Sequence, residues 1–232
     1  MSRTAIIIGA GNGISAAFAR RFSRDGGKVL LAARDTDKLK PLADEIDAHV
    51  MKCDATRIDE VASVFTEADR AFDTLDVVLY NASARASGAF VDVDPAAFAH
   101  AINVTAYGGF LVAQQAAKRM VAQGSGTILL TGASASVKGY KESAAFAMGK
   151  FGLRGLAQSI ARELAPKGVH VAHFVIDGGV RNEARGRVES DGQSDDSYLN
   201  PDAIADSYMH VVDQPRSAWT WEIELRPWVE NF

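Results

Sequence analysis

Short apolar runs alternate with longer amphipathic segments along the whole chain, and this alternation constrains the fold more than any other feature. Apolar runs bounded by glycine or polar residues are typical of strands buried on both faces of a parallel sheet. The predicted strands cover residues 4–8, 28–32, 50–53, 75–80, 127–131, 170–176 and 220–225. Helical crossovers between them would be right-handed, which places helices on both faces of one sheet. The sequence therefore predicts an α/β fold: a single Rossmann-type, doubly wound parallel sheet of about seven strands.

Length and composition narrow the class of protein. A chain of 232 residues with 47% hydrophobic and 23% charged residues suits one globular domain, and we expect a single domain over residues 1–232. A net charge of -4 favours neither a nucleic-acid partner nor an anionic membrane, and no apolar run approaches about 18 residues. Cys53 is the one cysteine, which agrees with a reducing, cytoplasmic location. The five histidines show no metal-ligand spacing, so no metal site is predicted.

A glycine-rich turn lies between the first predicted strand and the first predicted helix. Glycines there let the backbone approach a pyrophosphate, and the N–H groups at the helix start face the anion. The spacing is not G-x-G-x-x-G, because Ile14 stands at the third glycine; it fits a looser form that ends at Ser15. A tight turn without a ligand is the alternative. The residues predicted to bind a cofactor here are Gly9, Gly11, Asn12, Gly13 and Ile14.

The end of the second predicted strand indicates which dinucleotide would bind. A dinucleotide fold usually carries an acid about 20 residues after the glycines to hold the ribose hydroxyls. Here the strand ends without an acid and Arg34 follows. A guanidinium can pair with a 2′-phosphate, so NADP(H) is favoured over NAD(H). An ordinary surface arginine is the alternative, and the neighbouring Asp35 weakens the prediction.

A lysine one helical turn after a phenylalanine marks the predicted reaction centre. Phe146 and Lys150 are four residues apart, which puts both side chains on one face of the long helix after the fifth strand. The small-residue loop 132–136 precedes that helix. Phe146 stands where a proton-transferring group would be useful, and it has no proton to transfer.

Together these motifs resemble the short-chain dehydrogenase/reductase family over nearly the whole chain. The resemblance implies that Asp54 contacts adenine and that Asn81 belongs to the family's Asn-Asn-Ala-Gly element, from which the chain departs at Tyr80 and Ser83. It also implies that Asn103 is the asparagine of the catalytic tetrad. Lys150 would then be the tetrad lysine, which binds the nicotinamide ribose and lowers the pKa of the catalytic tyrosine.

The departures from the family pattern lie at the catalytic tyrosine and serine. The tyrosine position is Phe146, and the chain resembles an atypical subgroup in which phenylalanine replaces that tyrosine. The usual spacing puts Ala133 at the serine position, and a loop one residue shorter would put Ser134 there. The candidate catalytic residues are therefore Asn103, Ser134 and Lys150. General acid–base help of the missing kind is typically worth about 10²–10⁴ in rate, so the standard mechanism is in doubt.

Three functions are compatible with this pattern. The first is an NADP(H)-dependent oxidoreductase that acts on a carbonyl or hydroxyl of a small molecule. Its proton would come from Lys150 by a relay towards Asn103, or from the hydroxyl of Tyr140, Ser134 or Ser136. The second is an NADP(H)-binding sensor or scaffold that has lost turnover. The third is a structural module without cofactor, which would make the glycine turn, Arg34, Asp54, Asn81 and Lys150 coincidences.

Two further expectations concern the substrate and assembly. Residues 177–200 lose the alternating pattern, and a loop of that length is typical of a substrate loop or lid. The family resemblance implies a homodimer or homotetramer built through long helices. The apolar residues Phe151 and Leu156, which exceed the need of one buried face, are compatible with that assembly.

Overall fold

The computed structural model describes residues 2–190 and 196–230 and contains one parallel seven-stranded sheet. The strands lie in the order β3-β2-β1-β4-β5-β6-β7. Their bounds are β1 Thr4–Ile8, β2 Lys28–Ala33, β3 His49–Lys52, β4 Val77–Tyr80, β5 Gly126–Thr131, β6 Val169–Ile176 and β7 Glu222–Leu225. The predicted α/β class and sheet are thus confirmed. Strand ends differ from the predicted ones by one or two residues, because apolar side chains continue into the loops that flank the hydrogen-bonded ladder.

Helices cover both faces of the sheet. Their bounds are α1 Ile14–Arg24, α2 Lys40–Ile46, α3 Ile58–Ala71, α4 Pro95–Ile102, α5 Gly108–Gln123, α6 Ala144–Leu164 and α7 Pro201–Val212. Residues of α1, α2 and α7 pack on one face, and residues of α3, α5 and α6 pack on the other. Strands sandwiched in this way must be apolar on both sides, which is why β1, β4 and β6 are buried throughout.

The order of strands reverses between β1 and β4: β2 and β3 are added on one side of β1, and β4 to β7 are added on the other side. β1 pairs with β2 on one side and with β4 on the other, so the loops that follow β1 and β4 diverge to opposite faces. Ligands of open α/β sheets bind in the crevice at the carboxyl ends of strands beside such a switch point. The glycine turn follows β1 and Asn81 follows β4, so both lie at this crevice.

The helical segment that begins at Pro95 contains a wide turn. α4 and α5 are joined by a π-helical turn, Asn103–Tyr107. Residues 95–123 together are long and apolar enough to cross a membrane by length and composition alone, although no single apolar run indicated this. Nearly half of the most apolar window is buried, and α5 packs against β4, β5 and α6. Burial against the sheet accounts for this apolar character, so the helix by itself is weak evidence for a membrane span.

Residues 177–200 lack long elements where the structure describes them. The described parts hold a short 3₁₀ turn, Glu183–Arg185, and two isolated bridges, Val180 to Leu199 and Asn182 to Arg187. Residues 191–195 of the predicted substrate loop lie outside the described residues. The role of this segment as a substrate loop stays a prediction.

Candidate active site

Lys150 lies in the first half of α6 with its ammonium turned into the protein. The residue is only 3% exposed, and Nζ donates a hydrogen bond of 2.6 Å to the carbonyl oxygen of Thr131 at the end of β5. Burial, and to a lesser extent the positive charge of Arg85, lowers the pKa of Lys150 to about 7. A lysine of this kind changes protonation near neutral pH, as a group that donates or accepts a proton must.

Phe146 lies one turn before Lys150 and forms an aromatic floor. Its ring is buried, with 7% of the residue exposed. The Cζ atom of Arg85 lies over this ring at 3.7 Å from the centroid, and Nζ of Lys150 lies 5.8 Å from the same centroid. The phenylalanine therefore offers no hydroxyl, but its π face attracts two cations.

The loop after β5 is held by a buried chain of polar side chains. The backbone N–H of Ala133 donates to Oγ of Ser136 at 3.1 Å, and the same Oγ lies 3.3 Å from Nε2 of His173. Nδ1 of His173 lies 3.0 Å from a carboxylate oxygen of Glu222. Ser136 is fully buried and its hydroxyl is bonded to Ala133 and His173, so its use in place of the missing hydroxyl stays a prediction.

The same network reaches α6. Arg154, one turn after Lys150, donates two hydrogen bonds of 2.6 and 2.8 Å to Glu222. Burial lowers the pKa of His173 to about 4, against the opposing effect of Glu222, so the imidazole is neutral at pH 7. Glu222 thus ties the lysine-bearing helix to the loop 132–136 through β6 and β7.

The other candidates near the lysine are distributed around it rather than bonded to it. Ser134 is half-buried at the start of the turn Ser134–Ser136. Tyr140 is exposed to solvent, with Nζ of Lys138 5.5 Å from the centroid of its ring. Asn103 is exposed at the start of the π-helical turn, and the hydrogen bond that the structure gives Nζ of Lys150 goes to Thr131 instead.

The turn after β1 comes into very close contact with the loop after β4. Gly9 has φ +81°, and a Cβ atom there would lie 2.4 Å from the backbone nitrogen of Ala82, so only glycine fits. Asn81 donates from Nδ2 to Oγ of Ser15 at 2.8 Å, and Ser15 donates to the carbonyl of Gly9. Asn81, which follows β4, therefore holds the glycine turn after β1 in place through Ser15.

Asn182 covers the glycine turn from the segment after β6. Its Nδ2 donates to the carbonyl of Asn12 at 3.2 Å and lies 3.3 Å from where a Cβ of Gly13 would be. Its Oδ1 is buried, and no described group donates to it. A buried amide oxygen without a donor is rare in proteins, so this oxygen fits a site where a ligand supplies the hydrogen bond. Gly11 faces open space, which leaves room for a pyrophosphate. The residues present therefore fit a dinucleotide.

The opposite end of the crevice carries Arg34 and Asp54. Arg34 is exposed, and within the described chain no carboxylate forms an ion pair with it. Asp35 instead pairs with Lys38 at 2.7 Å, so the neighbouring acid does not neutralise Arg34. Burial acts to raise the pKa of Asp54, but hydrogen bonds from Thr56 outweigh it and the pKa is lowered. Asp54 is thus an ionised acceptor at the end of β3.

Sequence reasoning missed Arg85, Asn182 and the Ser136–His173–Glu222 network. A signal for Arg85 was present, because it is the one charged residue among the small residues 82–89 that directly follow a buried strand. Asn182 had no signal, since its place over the glycine turn depends on how the segment after β6 folds back. The network joins three distant parts of the chain, and no local pattern predicts such a meeting.

Comparisons with known proteins agree with this architecture. The family model described as short chain dehydrogenase matches residues 3–191. An uncharacterized oxidoreductase of Staphylococcus aureus (strain N315) is 29% identical over 97% of this chain and 97% of its own. A solved short-chain dehydrogenase of Rhodopseudomonas palustris is 35% identical with a TM-score of 0.83, covering 97% of this chain and 99% of that one.

A second solved structure carries a ligand. It is a metagenomic short-chain oxidoreductase in complex with NADP, 29% identical to this chain with a TM-score of 0.84, and the match covers 98% of each chain. The family match spans most of the chain, from before β1 to beyond β6, and includes the glycine turn and Lys150. The chain belongs to the short-chain dehydrogenase family.

Proposed function

We propose that this protein is an NADP(H)-dependent oxidoreductase that acts on a carbonyl or hydroxyl group of a small molecule by an atypical route. The observation that carries the proposal is Lys150, buried beside Phe146 at the end of the sheet where the glycine turn lies. A buried lysine with a pKa of about 7 costs folding free energy and has no carboxylate partner among the described residues. Such a residue is typical of a reaction centre.

Several residues support NADP(H) as the cofactor. Gly9, Gly11, Asn12, Gly13 and Ile14 would hold the pyrophosphate, Asp54 the adenine and Lys150 the nicotinamide ribose; Asn81 would brace the turn. Arg34 is charged, exposed and not paired to Asp35, which suits a 2′-phosphate. The metagenomic relative was solved with NADP. When bound, the cofactor supplies or accepts the hydride.

The chain's own residues would supply the proton and the electrostatic environment. We place the chain in the subgroup that has phenylalanine at the tyrosine position, since Phe146 occupies that place. Lys150 has the proton affinity to exchange a proton at neutral pH. Ser134 and Asn103 stay candidates at the rim of the site, where both are accessible.

A sensor or scaffold that binds NADP(H) without turnover is the second candidate. The lack of a hydroxyl at Phe146 favours it, together with Ala133 at the usual serine position. We also propose that the protein works in the cytoplasm and self-associates through α5 and α6, where Phe110, Met148 and Phe151 are exposed. Leu156, by contrast, packs against the core and does not extend that surface.

Steady-state NADPH oxidation with a panel of aldehydes and ketones tests turnover directly. We expect the wild type to turn over, and Lys150→Met to lose activity while still binding NADPH. The matched control, Lys118→Met, changes an exposed lysine on α5 and should behave as the wild type. Phe146→Tyr should raise activity by about tenfold or more, because it restores a hydroxyl beside Lys150. Tight NADPH binding with no turnover in any of the four proteins would favour the sensor.

A further inference from the structure

Two basic side chains lie at the ring of Phe146, and the charge of a third acts on one of them. Arg85, in the loop after β4, lies over the ring of Phe146, and Lys150 lies near the same ring. The positive charge of Arg187 acts on Arg85, and that of Arg85 acts on Lys150. We call Arg85, Lys150 and Arg187 the basic cluster.

No acid neutralises the basic cluster within residues 2–190 and 196–230. The acids near the ends of β6 and β7 are bonded to other cations. Asp177 pairs with Arg226 at 3.2 Å, and Glu189 pairs with Arg181 at 2.6 Å. The charges that act on Arg85 and Lys150 are all positive. Arg85 and Arg187 are exposed and Lys150 is buried, so the cluster presents positive charge to solvent beside a buried lysine and would attract an anion.

The stacking of Arg85 leaves its polar edge available. A Cζ atom 3.7 Å from the ring centroid is in van der Waals contact with the ring, and the aromatic face accepts none of the in-plane N–H groups. A guanidinium presents those groups as a fork that matches a carboxylate or a phosphate. Phe146 therefore acts as a platform that holds Arg85 one helical turn from Lys150.

The position of Arg187 agrees with this arrangement. Residues 182 and 187 form an antiparallel bridge with two backbone hydrogen bonds of 2.8 and 3.0 Å. Asn182 is itself bonded to the glycine turn. Arg187 is thus connected through Asn182 to the glycine turn, while Arg85 lies over Phe146.

We propose that the substrate carries an anionic carboxylate or phosphate group, which Arg85 binds through its guanidinium fork on the Phe146 platform with support from Arg187. This proposal rests on the proposed function in one respect, since the anion must belong to the molecule that Lys150 serves. It gives the ring face of Phe146 the task of holding a residue that recognises substrate charge.

Calorimetry on the NADPH-loaded protein tests the proposal with simple probes. NADPH is titrated first, which measures cofactor binding separately and fills any phosphate site at Arg34. Benzoate, its neutral isostere benzamide and inorganic phosphate are then titrated in turn. We expect one of the two anions to bind at least about tenfold more tightly than benzamide, and the preferred anion distinguishes a carboxylate from a phosphate.

Variants of Arg85 show whether its side chain causes the tighter binding of the anion. Arg85→Gln should weaken anion binding by about tenfold or more and leave benzamide and NADPH unchanged, and Arg85→Lys should recover part of the affinity. Arg70→Gln, at an exposed position on α3, is the matched control and should bind as the wild type. Equal binding of benzoate, phosphate and benzamide, no saturable anion binding, or an unchanged Arg85→Gln would each overturn the proposal. If NADPH itself does not bind, the proposed function fails. The same probes, titrated into the free protein, still test whether the basic cluster binds an anion.

Discussion

At the scale of single residues, the site has no hydroxyl at Phe146 but has two cations beside the ring of that residue. Phe146 has no hydroxyl that could transfer a proton, yet its ring attracts Arg85 and lies near Lys150. The sequence alone predicted the lysine and the unusual phenylalanine, because their spacing of four on a helix is a local property. It could not predict that Arg85 would reach the ring, because the loop after β4 and α6 meet only in the folded chain.

The protonation of Lys150 gives a pH dependence with a definite sign. Its pKa of about 7 lies well below the ordinary lysine value of 10.5, so the ammonium form decreases as pH rises through neutrality. Reduction consumes a proton; its kcat/KM should be level below about pH 7 and fall by about tenfold per pH unit above it. Oxidation should show the opposite slope.

Arg85→Gln supplies the control for this profile. Removing the neighbouring positive charge stabilises the ammonium form, so with a neutral ketone the break should move to higher pH. Arg70→Gln should leave the break where it is. A profile that is flat from about pH 6 to about pH 10, or a break that does not move in Arg85→Gln, would contradict the role given to Lys150.

At the scale of elements, the π-helical turn between α4 and α5 depends on β4. Tyr80 is fully buried at the end of β4, and its hydroxyl donates to the carbonyl of Val104 in the turn. The backbone N–H of Ala84 donates to Oγ1 of Thr105 at 3.2 Å. Tyr80 thus binds the turn that begins at Asn103. A π turn leaves the helical hydropathy pattern almost unchanged, so the sequence does not reveal it.

Gly108→Ala tests this coupling between strand and helix. A Cβ atom at Gly108 would lie 2.5 Å from the hydroxyl of Tyr80 and 2.9 Å from the carbonyl of Ala55. We expect the substitution to lower the free energy of unfolding by about 2 kcal/mol, measured by urea denaturation. Adding Tyr80→Phe should recover part of that loss, since it removes one of the two clashing atoms.

A second glycine gives the matched control. Gly155 lies in α6, and a Cβ atom added there would meet nothing within 4 Å. Gly155→Ala should therefore stabilise the protein by up to about 1 kcal/mol through helix propensity. If Gly108→Ala behaves like Gly155→Ala, the close packing of Tyr80 against α5 is not a constraint on the fold.

At the scale of the whole molecule, the sheet was predictable and the crevice only partly so. Alternating apolar runs and helices suffice to predict strands β1 to β7 and their parallel pairing, because burial on both faces demands such a pattern. The glycine turn, Asn81 and Arg34 were found because each directly follows a strand. Asn182, Arg187 and Glu222 enter the site through folding back of the last third of the chain, where short motifs carry no signal.

We propose that this crevice binds NADP(H) in preference to NAD(H), and paired calorimetric titrations of the purified protein with NADPH and NADH test this preference. We expect NADPH to bind at least about tenfold more tightly than NADH, Arg34→Ala to remove the preference and Arg70→Ala to retain it. Equal affinity for both cofactors would contradict the role of Arg34, and failure to bind either would contradict the proposed function as a whole.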